Sequence, residues 1–300
     1  MHDDQVEITT SQVAALVAEQ IPALAGRNVV RVESAGTVNA IFRISADVAA
    51  RFPLRSADPT RLRARLRSEA AAATEFHLAC PFPAPEPIHV GEPGHGYPLP
   101  WTAQTWLPGS TAAPTSDATS VALADDVAVL IEHLRDCDTR DRSFAGSGRG
   151  GVLADHDEWV DECIRRSSGL LDTSAMTSMW RGFRALPRED PDVMCHGDLT
   201  PANLLVQRGR LGGILDTGGF RAADPALDLV AAWHLFGAEA RERLRDRLRC
   251  SELQWERGKA WAFEQAIGAY WYYRDTNPAM AAMGRTTLER LVGGAPRRRP

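Results

Sequence analysis

Three side chains of this 300-residue chain carry oxygens at a spacing that suits phosphate chemistry. Asp198 and Asn203 share the loop Cys195-His196-Gly197-Asp198-Leu199-Thr200-Pro201-Ala202-Asn203, between an apolar approach at Val193-Met194 and the apolar run Leu204-Leu205-Val206. After a turn at Gln207 to Arg210, a second run, Gly213-Ile214-Leu215, ends on Asp216. Two strands joined by such a turn make a hairpin with Asn203 and Asp216 at the same end. Mg²⁺ dehydrates reluctantly and is normally held by one or two protein oxygens together with substrate phosphates, and Asn203 and Asp216 are the right kind and number. Asp198 would stand beside the metal without ligating it, free to accept a hydrogen bond from an attacking hydroxyl.

Positioning these groups requires a scaffold, and the chain divides into two textures. Val29 to Val32, Ala40 to Ile44 and Val48 to Phe52 read as short antiparallel strands, with the turn-rich stretch Ser34 to Asn39 between the first two. Asp58 can cap, and Pro59 open, a helix in which Leu62, Leu66, Ala73 and Phe76 recur at helical spacing until Cys80-Pro81. Glu69 falls on that helix's apolar face, where a carboxylate requires a partner, and Arg51 on the third strand is the group on offer. Pro81 to Pro100 reads as an extended connection with one short strand near Ile88-His89-Val90, and Trp101 to Leu107 as a strand ended by Pro108-Gly109.

Beyond that point the pattern is helical. Ala118 to Asp138 places Val127, Leu130, Ile131 and Leu134 on one face, and further helices are predicted at 155–170, 174–186, 225–237, 239–249, 252–273 and 278–292. The class is α+β: a small antiparallel sheet lobe with one helix over 1–103, a hinge at 104–109, and a larger, mainly helical lobe over 110–300.

Composition excludes several classes. Hydrophobic residues at 44% and charged residues at 24% are those of a globular chain. No apolar run approaches a membrane span, and the acidic start Met1-His2-Asp3-Asp4 lacks a leader's pattern, so a cytoplasmic protein is expected. Five scattered cysteines fit neither a zinc site nor a disulfide framework. A net charge of −5 gives no electrostatic footprint for nucleic acid. Gly146-Ser147-Gly148-Arg149-Gly150-Gly151 satisfies G-x-G-x-x-G but follows no buried strand, so it reads as a flexible loop near the substrate. Arg61, Arg63, Arg65 and Arg67 spread around their helix as a solvated face.

The ordered set His196, Asp198, Asn203 and Asp216 resembles the kinase catalytic loop and the D-x-G element that follows it. With Asp224-Pro225-Ala226-Leu227-Asp228 behind it, and Arg51-Phe52-Pro53, Glu69, Pro83 to Pro87 and Trp106-Leu107-Pro108-Gly109 ahead of it, the chain resembles the aminoglycoside phosphotransferase family from about residue 30 to 290. That resemblance implies a bilobal protein-kinase-like fold, ATP or GTP as phosphate donor, Mg²⁺ on Asn203 and Asp216, and Asp198 as the catalytic residue. It implies that Arg51, where the family has lysine, works with Glu69 on the nucleotide phosphates. Ser34 and Thr37 would cover those phosphates, and backbone from Thr105 to Leu107 would meet the base, with Trp106 packing instead of reading it. His196 would fix the loop, Asp224 and Pro225 would open the next element, and Asp228 would brace the loop.

Only five residues, Gly219 to Ala223, separate the D-x-G element from Asp224, whereas protein kinases dock peptides on a long segment. The acceptor is therefore expected to be a small hydroxyl-bearing molecule. By resemblance it would be an aminoglycoside, macrolide or tuberactinomycin-like antibiotic, received by acids such as Asp155, Asp157, Glu158, Asp161, Glu264 and Asp275. A metabolic kinase for choline, homoserine or a sugar, and a non-catalytic nucleotide-binding regulator, are the alternatives. Monomer and homodimer both remain open.

Overall fold

Burial alternates along Asn39–Ile44: Ala40, Phe42 and Ile44 face the core while their neighbours are half-buried, which is the signature of a strand with one covered face. The computed structural model describes residues 6–32, 38–146 and 148–293. Strands β1 (Val29–Val32), β2 (Asn39–Ile44), β3 (Val48–Pro53), β4 (Pro87–Gly91) and β5 (Trp101–Thr105) form one sheet in the order β1-β2-β3-β5-β4, with every pair antiparallel. Arg51 lies on the central strand, opposite Ile41 on one side and Thr102 on the other.

Two helices join this sheet. Helix α1 (Thr10–Gln20) goes beyond the helices expected from apolar spacing; its signal is the capping box at Thr9, whose backbone N–H reaches the Gln12 carboxamide while the Gln12 N–H reaches the Thr9 hydroxyl. Helix α2 (Pro59–Ala79) starts as expected, with Asp58 Oδ1 accepting from the Arg61 N–H at 2.8 Å. The core is aromatic: Phe52 stacks on Trp101 with ring centroids 5.0 Å apart and meets Tyr97 and Phe42 edge-on. By its contacts this compact unit comprises Met1–Leu78, Pro83–Pro108 and Asp216–Gly219.

The second unit comprises Ala79–Phe82, Gly109–Leu215 and Phe220–Pro300. In chain order it holds β6 (Ser110–Thr111), α3 (Val121–Asp136), α4 (Asp157–Arg166), α5 (Thr173–Phe183), β7 (Val193–Cys195), β8 (Leu204–Gln207), β9 (Arg210–Ile214), β10 (Arg221–Ala223), α6 (Val230–His234), α7 (Ala238–Leu248), α8 (Glu252–Tyr272) and α9 (Pro278–Gly293). The helix expected over 225–237 is shorter: a 3-10 turn at Leu227–Leu229 precedes α6, because Asp224 Oδ1 accepts from the Ala226 N–H and tightens the chain there. Helix α8 is buried over most of its surface, with Trp255, Trp261 and Phe263 in the core.

Two ladders in this unit carry the loop of interest. Strands β8 and β9 form the expected hairpin, with Leu204 opposite Ile214 and Gln207 opposite Arg210. Strand β10 pairs with β7, with Arg221 opposite Cys195. Asp126 on α3 holds the turn of the hairpin, since its buried carboxylate accepts from the Arg210 guanidinium and from the Leu211 N–H at 3.0 Å. Burial acts against that carboxylate, but the Arg210 and Leu211 donors outweigh it and hold Asp126 below the usual carboxylate range.

Candidate active site

Gly197 opens the loop in the left-handed region at φ 85°, where glycine alone is unstrained. The loop is braced from below by Asp228, whose Oδ2 and Oδ1 accept the backbone N–H groups of His196 and Gly197 at 2.8 and 2.9 Å. Burial pushes the Asp228 carboxyl up, with His196 and the two N–H donors acting in the other direction. His196 is a second brace: its Nδ1 accepts from the Asp198 N–H at 3.2 Å, and its Nε2 faces the Leu215 carbonyl at 2.9 Å. A carbonyl only accepts, so the ring carries its proton on Nε2. The structural roles expected for His196 and Asp228 match these contacts.

The Asp198 side chain is about a third exposed. Its Oδ2 accepts from Asn203 Nδ2 at 3.0 Å, and the same Nδ2 donates to the Asp198 carbonyl at 2.8 Å. Both amide hydrogens of Asn203 are thereby committed, which leaves Asn203 Oδ1 as an acceptor available to a hard cation. Asn203 also stands level with the end of β9, because its carbonyl accepts from the Leu215 N–H at 2.8 Å. Asp216 follows immediately, in the left-handed region at φ 56°. For a residue other than glycine this backbone conformation is uncommon, although aspartate tolerates it better than most. Among the described residues no cluster of three or more His, Cys, Asp or Glu converges as a metal cage. An amide oxygen of this kind fits a Mg²⁺ that phosphates also ligate.

Arg51 departs from the expectation. Its guanidinium donates to Asp216 Oδ1 at 2.9 Å, whereas the ion pair of Glu69 is with Arg65, one helical turn away at 3.5 Å. Glu69 is nearly half exposed and not sunk in the apolar face, because the Arg65 stem one turn earlier draws its carboxylate toward solvent. Partial burial still pushes its carboxyl up, opposed by Arg65 and then Arg51. Thr105 is committed within its sheet: its N–H donates to the Glu86 carbonyl at 2.9 Å and its hydroxyl accepts from the Glu86 N–H at 2.8 Å. Trp106 donates its N–H to the Asp47 carbonyl, and its ring lies under the Arg43 guanidinium at 4.9 Å, a packing role as expected. The Leu107 backbone makes no hydrogen bond among the described residues. Ser34 and Thr37 lie outside the described residues.

Two neighbours of Asp198 were not anticipated. Arg149 donates from its terminal nitrogen to Asp198 Oδ1 at 3.0 Å, and Gln265 Nε2 donates to the same oxygen at 2.6 Å. Arg149 belongs to the glycine-rich stretch expected to be flexible. The end of that stretch is packed, whereas Gly146 and Gly148 are exposed: Gly150, at φ 107°, accepts from the Asp224 N–H at its carbonyl, and a Cβ there would stand 2.8 Å from that of Ala223. Arg221 donates to the Arg149 carbonyl at 2.9 Å. Burial and the neighbouring Arg149 guanidinium pull the Arg221 group below its ordinary range. Behind them the buried Glu264 meets His156 at 2.9 Å and lies 3.9 Å from Arg149, and that carboxylate pushes the His156 imidazole up.

The chain belongs to the phosphotransferase enzyme family, whose model matches residues 29–262. Among characterised proteins it is similar to the aminoglycoside 3'-phosphotransferase of Escherichia coli, at 28% identity over 150 residues, covering 46% of this chain and 53% of that protein. The corresponding enzyme of Salmonella typhimurium is 27% identical over the same extent. The chain thus spans about half the length of the curated relatives it matches. Among solved structures, the GDP complex of wild-type aminoglycoside 2'-phosphotransferase-IIIa covers 95% of this chain and 99% of its own, with a TM-score of 0.72 at 16% identity. A macrolide 2'-phosphotransferase from Brachybacterium faecium covers 97% and 99%, with a TM-score of 0.60 at 17% identity. At these identities the likeness is one of fold, the protein-kinase-like fold of small-molecule phosphotransferases.

Proposed function

We propose that this protein transfers the γ-phosphate of ATP or GTP to a hydroxyl of a small molecule, with an antibiotic of the aminoglycoside or macrolide kind as acceptor. The observation that carries the reading is Asp198: a partly exposed carboxylate on a loop braced by Asp228 and His196, in direct contact with Asn203. In that role Asp198 orients the acceptor hydroxyl and takes its proton. Asn203 Oδ1 and Asp216 would hold Mg²⁺, which supplies charge neutralisation on the transferring phosphoryl group when bound. Arg51 fixes Asp216 through one nitrogen and keeps its other donors for phosphate oxygens, and the free Leu107 backbone suits an edge of the base. Catalysis by such a site is mostly alignment and electrostatic stabilisation.

A small acceptor is favoured by the connection after Asp216. Strand β10 begins at Arg221 and is paired with β7, so no long segment remains on which a peptide could dock. A cationic acceptor is favoured by an open cavity lined by Asp155, Glu158, Trp159 and Asp161, at whose edge Glu162 is already paired with Arg165 and Arg166. Of the other expected acids, Asp157 is tied to Arg184 and Trp180, and Glu264 is buried against His156. Mg²⁺-dependent nucleotide turnover with a panel of aminoglycosides, macrolides, choline and sugars tests this reading. It expects turnover with at least one antibiotic and a loss of about 10²-fold or more in Asp198→Ala. Turnover unaffected by Asp198→Ala would refute it.

A further inference from the structure

Asp198 Oδ1 and Oδ2 are not equivalent. An ionised carboxylate offers about four lone-pair sites. Among the described residues Oδ1 receives two donors, Arg149 and Gln265, whereas Oδ2 receives one, Asn203. One acceptor position is left, and it is on Oδ2.

The Gln265 contact is the end of a chain of hydrogen bonds that crosses three helices. Gln265 on α8 presents Oε1 to His234 Nε2 on α6 at 3.0 Å, and His234 Nδ1 meets the hydroxyl of Thr287 on α9 at 2.9 Å. His234 and Thr287 are fully buried. The direction of every bond follows from the carboxylate, which only accepts. Gln265 must turn its NH₂ toward Asp198, so its carbonyl faces His234 and requires a donor there. His234 therefore carries its proton on Nε2, and its Nδ1 accepts from the Thr287 hydroxyl. Burial pushes the His234 imidazole down to about 4, which keeps the ring neutral and this tautomer in place. With the carboxamide reversed, two oxygens would face each other at 2.6 Å, so the amide has one orientation.

We propose that Gln265, backed by His234 and Thr287, is a positioning residue that pins Asp198 through Oδ1 and leaves Oδ2 as the atom that takes the acceptor's proton. The inference rests on the phosphotransfer reading above. In that reaction the hydroxyl oxygen forms the bond to the γ-phosphorus as its proton passes to Asp198 Oδ2. The bond between the γ-phosphorus and the β–γ bridging oxygen breaks, and the nucleoside diphosphate leaves with that electron pair. Gln265 touches neither reactant; it restricts rotation of the carboxylate, and Asn203 holds Oδ2 from the other side. Networks of this kind fix a reacting group within the tolerance that phosphoryl transfer demands.

The test compares Gln265→Leu, His234→Leu and His234→Gln with wild type and Asp198→Ala, each checked for native near-UV circular dichroism. The readouts are kcat and KM for nucleotide with the best acceptor of the panel, or with water as acceptor where none is turned over. Expected is a fall in kcat of about 10- to 100-fold for Gln265→Leu and His234→Leu, with nucleotide KM within about twofold. His234→Gln, which keeps a donor near the Nε2 position, should recover most of that loss. Independently of turnover, ¹⁵N spectra of selectively labelled histidine should show His234 protonated at Nε2 alone in wild type. Wild-type kcat in Gln265→Leu, equal losses in His234→Leu and His234→Gln, or a proton on Nδ1 of His234 would each overturn the proposal. Those results leave the phosphotransfer reading standing, because that reading fails on different results: no turnover with any acceptor, or activity retained when Asp198 itself is replaced.

Discussion

His234 is the residue whose chemistry is most altered by the fold. In the unfolded chain its imidazole titrates near 6.5, whereas burial holds it near 4 in the native state. Below the higher value the unfolded chain binds a proton that the native ring refuses. The stability that comes from burying a neutral ring is therefore complete above pH 6.5 and is lost as the pH falls toward 4. Between pH 7 and pH 4 the wild-type unfolding free energy should fall by about 3 kcal/mol more than that of His234→Gln, read from urea titrations at each pH. Parallel pH profiles for the two proteins would contradict this. At the same scale, the contacts among Asp198, Asn203, His196 and Asp228 follow from short spacings within one loop and the element after it, so these residues could be grouped from the sequence. It did not disclose Arg149 and Gln265, which reach Asp198 across 49 and 67 positions. A contact of that range has no local period, and a glycine-rich stretch suggests mobility until the neighbours that pack against it are known. The opposite error occurred at Glu69: helical spacing placed it on the apolar face, but a long side chain with Arg65 one turn away turns outward.

At the scale of elements, the stretch from β10 into α6 is held by a buried ion pair and not by helix propensity. Asp224 Oδ2 accepts from Arg257 Nε at 2.9 Å, from a terminal nitrogen of Arg257 at 2.6 Å and from Trp261 Nε1 at 2.8 Å, all on α8. Arg257 spends further donors on the carbonyls of Leu186, Pro187 and Gly151, so one guanidinium ties one carboxylate and three backbone carbonyls together. Both partners are almost wholly buried. Removing the cation leaves a carboxylate with no counter-charge. Arg257→Met should therefore destabilise the protein by about 3–5 kcal/mol by urea titration, and adding Asp224→Asn should recover part of that. A loss below about 1 kcal/mol would show that the pair is dispensable. Apolar spacing located most helices of this unit, whereas the short α6 and the capped α1 depended on side-chain-to-backbone bonds that a count of apolar positions does not register.

At the scale of the whole molecule, membership of the phosphotransferase enzyme family and the solved-structure likenesses define the fold, and the site chemistry has to come from this chain's own residues. The strand pattern of the first unit and the helical pattern of the second were both legible, because burial on one face imposes periods of 2 and 3.6 on the sequence. The acids Asp155, Glu158 and Asp161 were legible as a group because they follow one another in and just before α4, whereas the sequence did not disclose that Trp159, Glu162 and Arg165 line the same cavity. The central claim concerns Asp198, and the most direct measurement is single-turnover transfer of labelled γ-phosphate from Mg²⁺-nucleotide to the best acceptor in Asp198→Asn, an isosteric change that removes the proton-accepting charge together with its ion pair to Arg149. The expected result is a transfer rate lower by about 10²-fold or more with nucleotide affinity within about threefold of wild type. Transfer at the wild-type rate with the amide in place would contradict the claim.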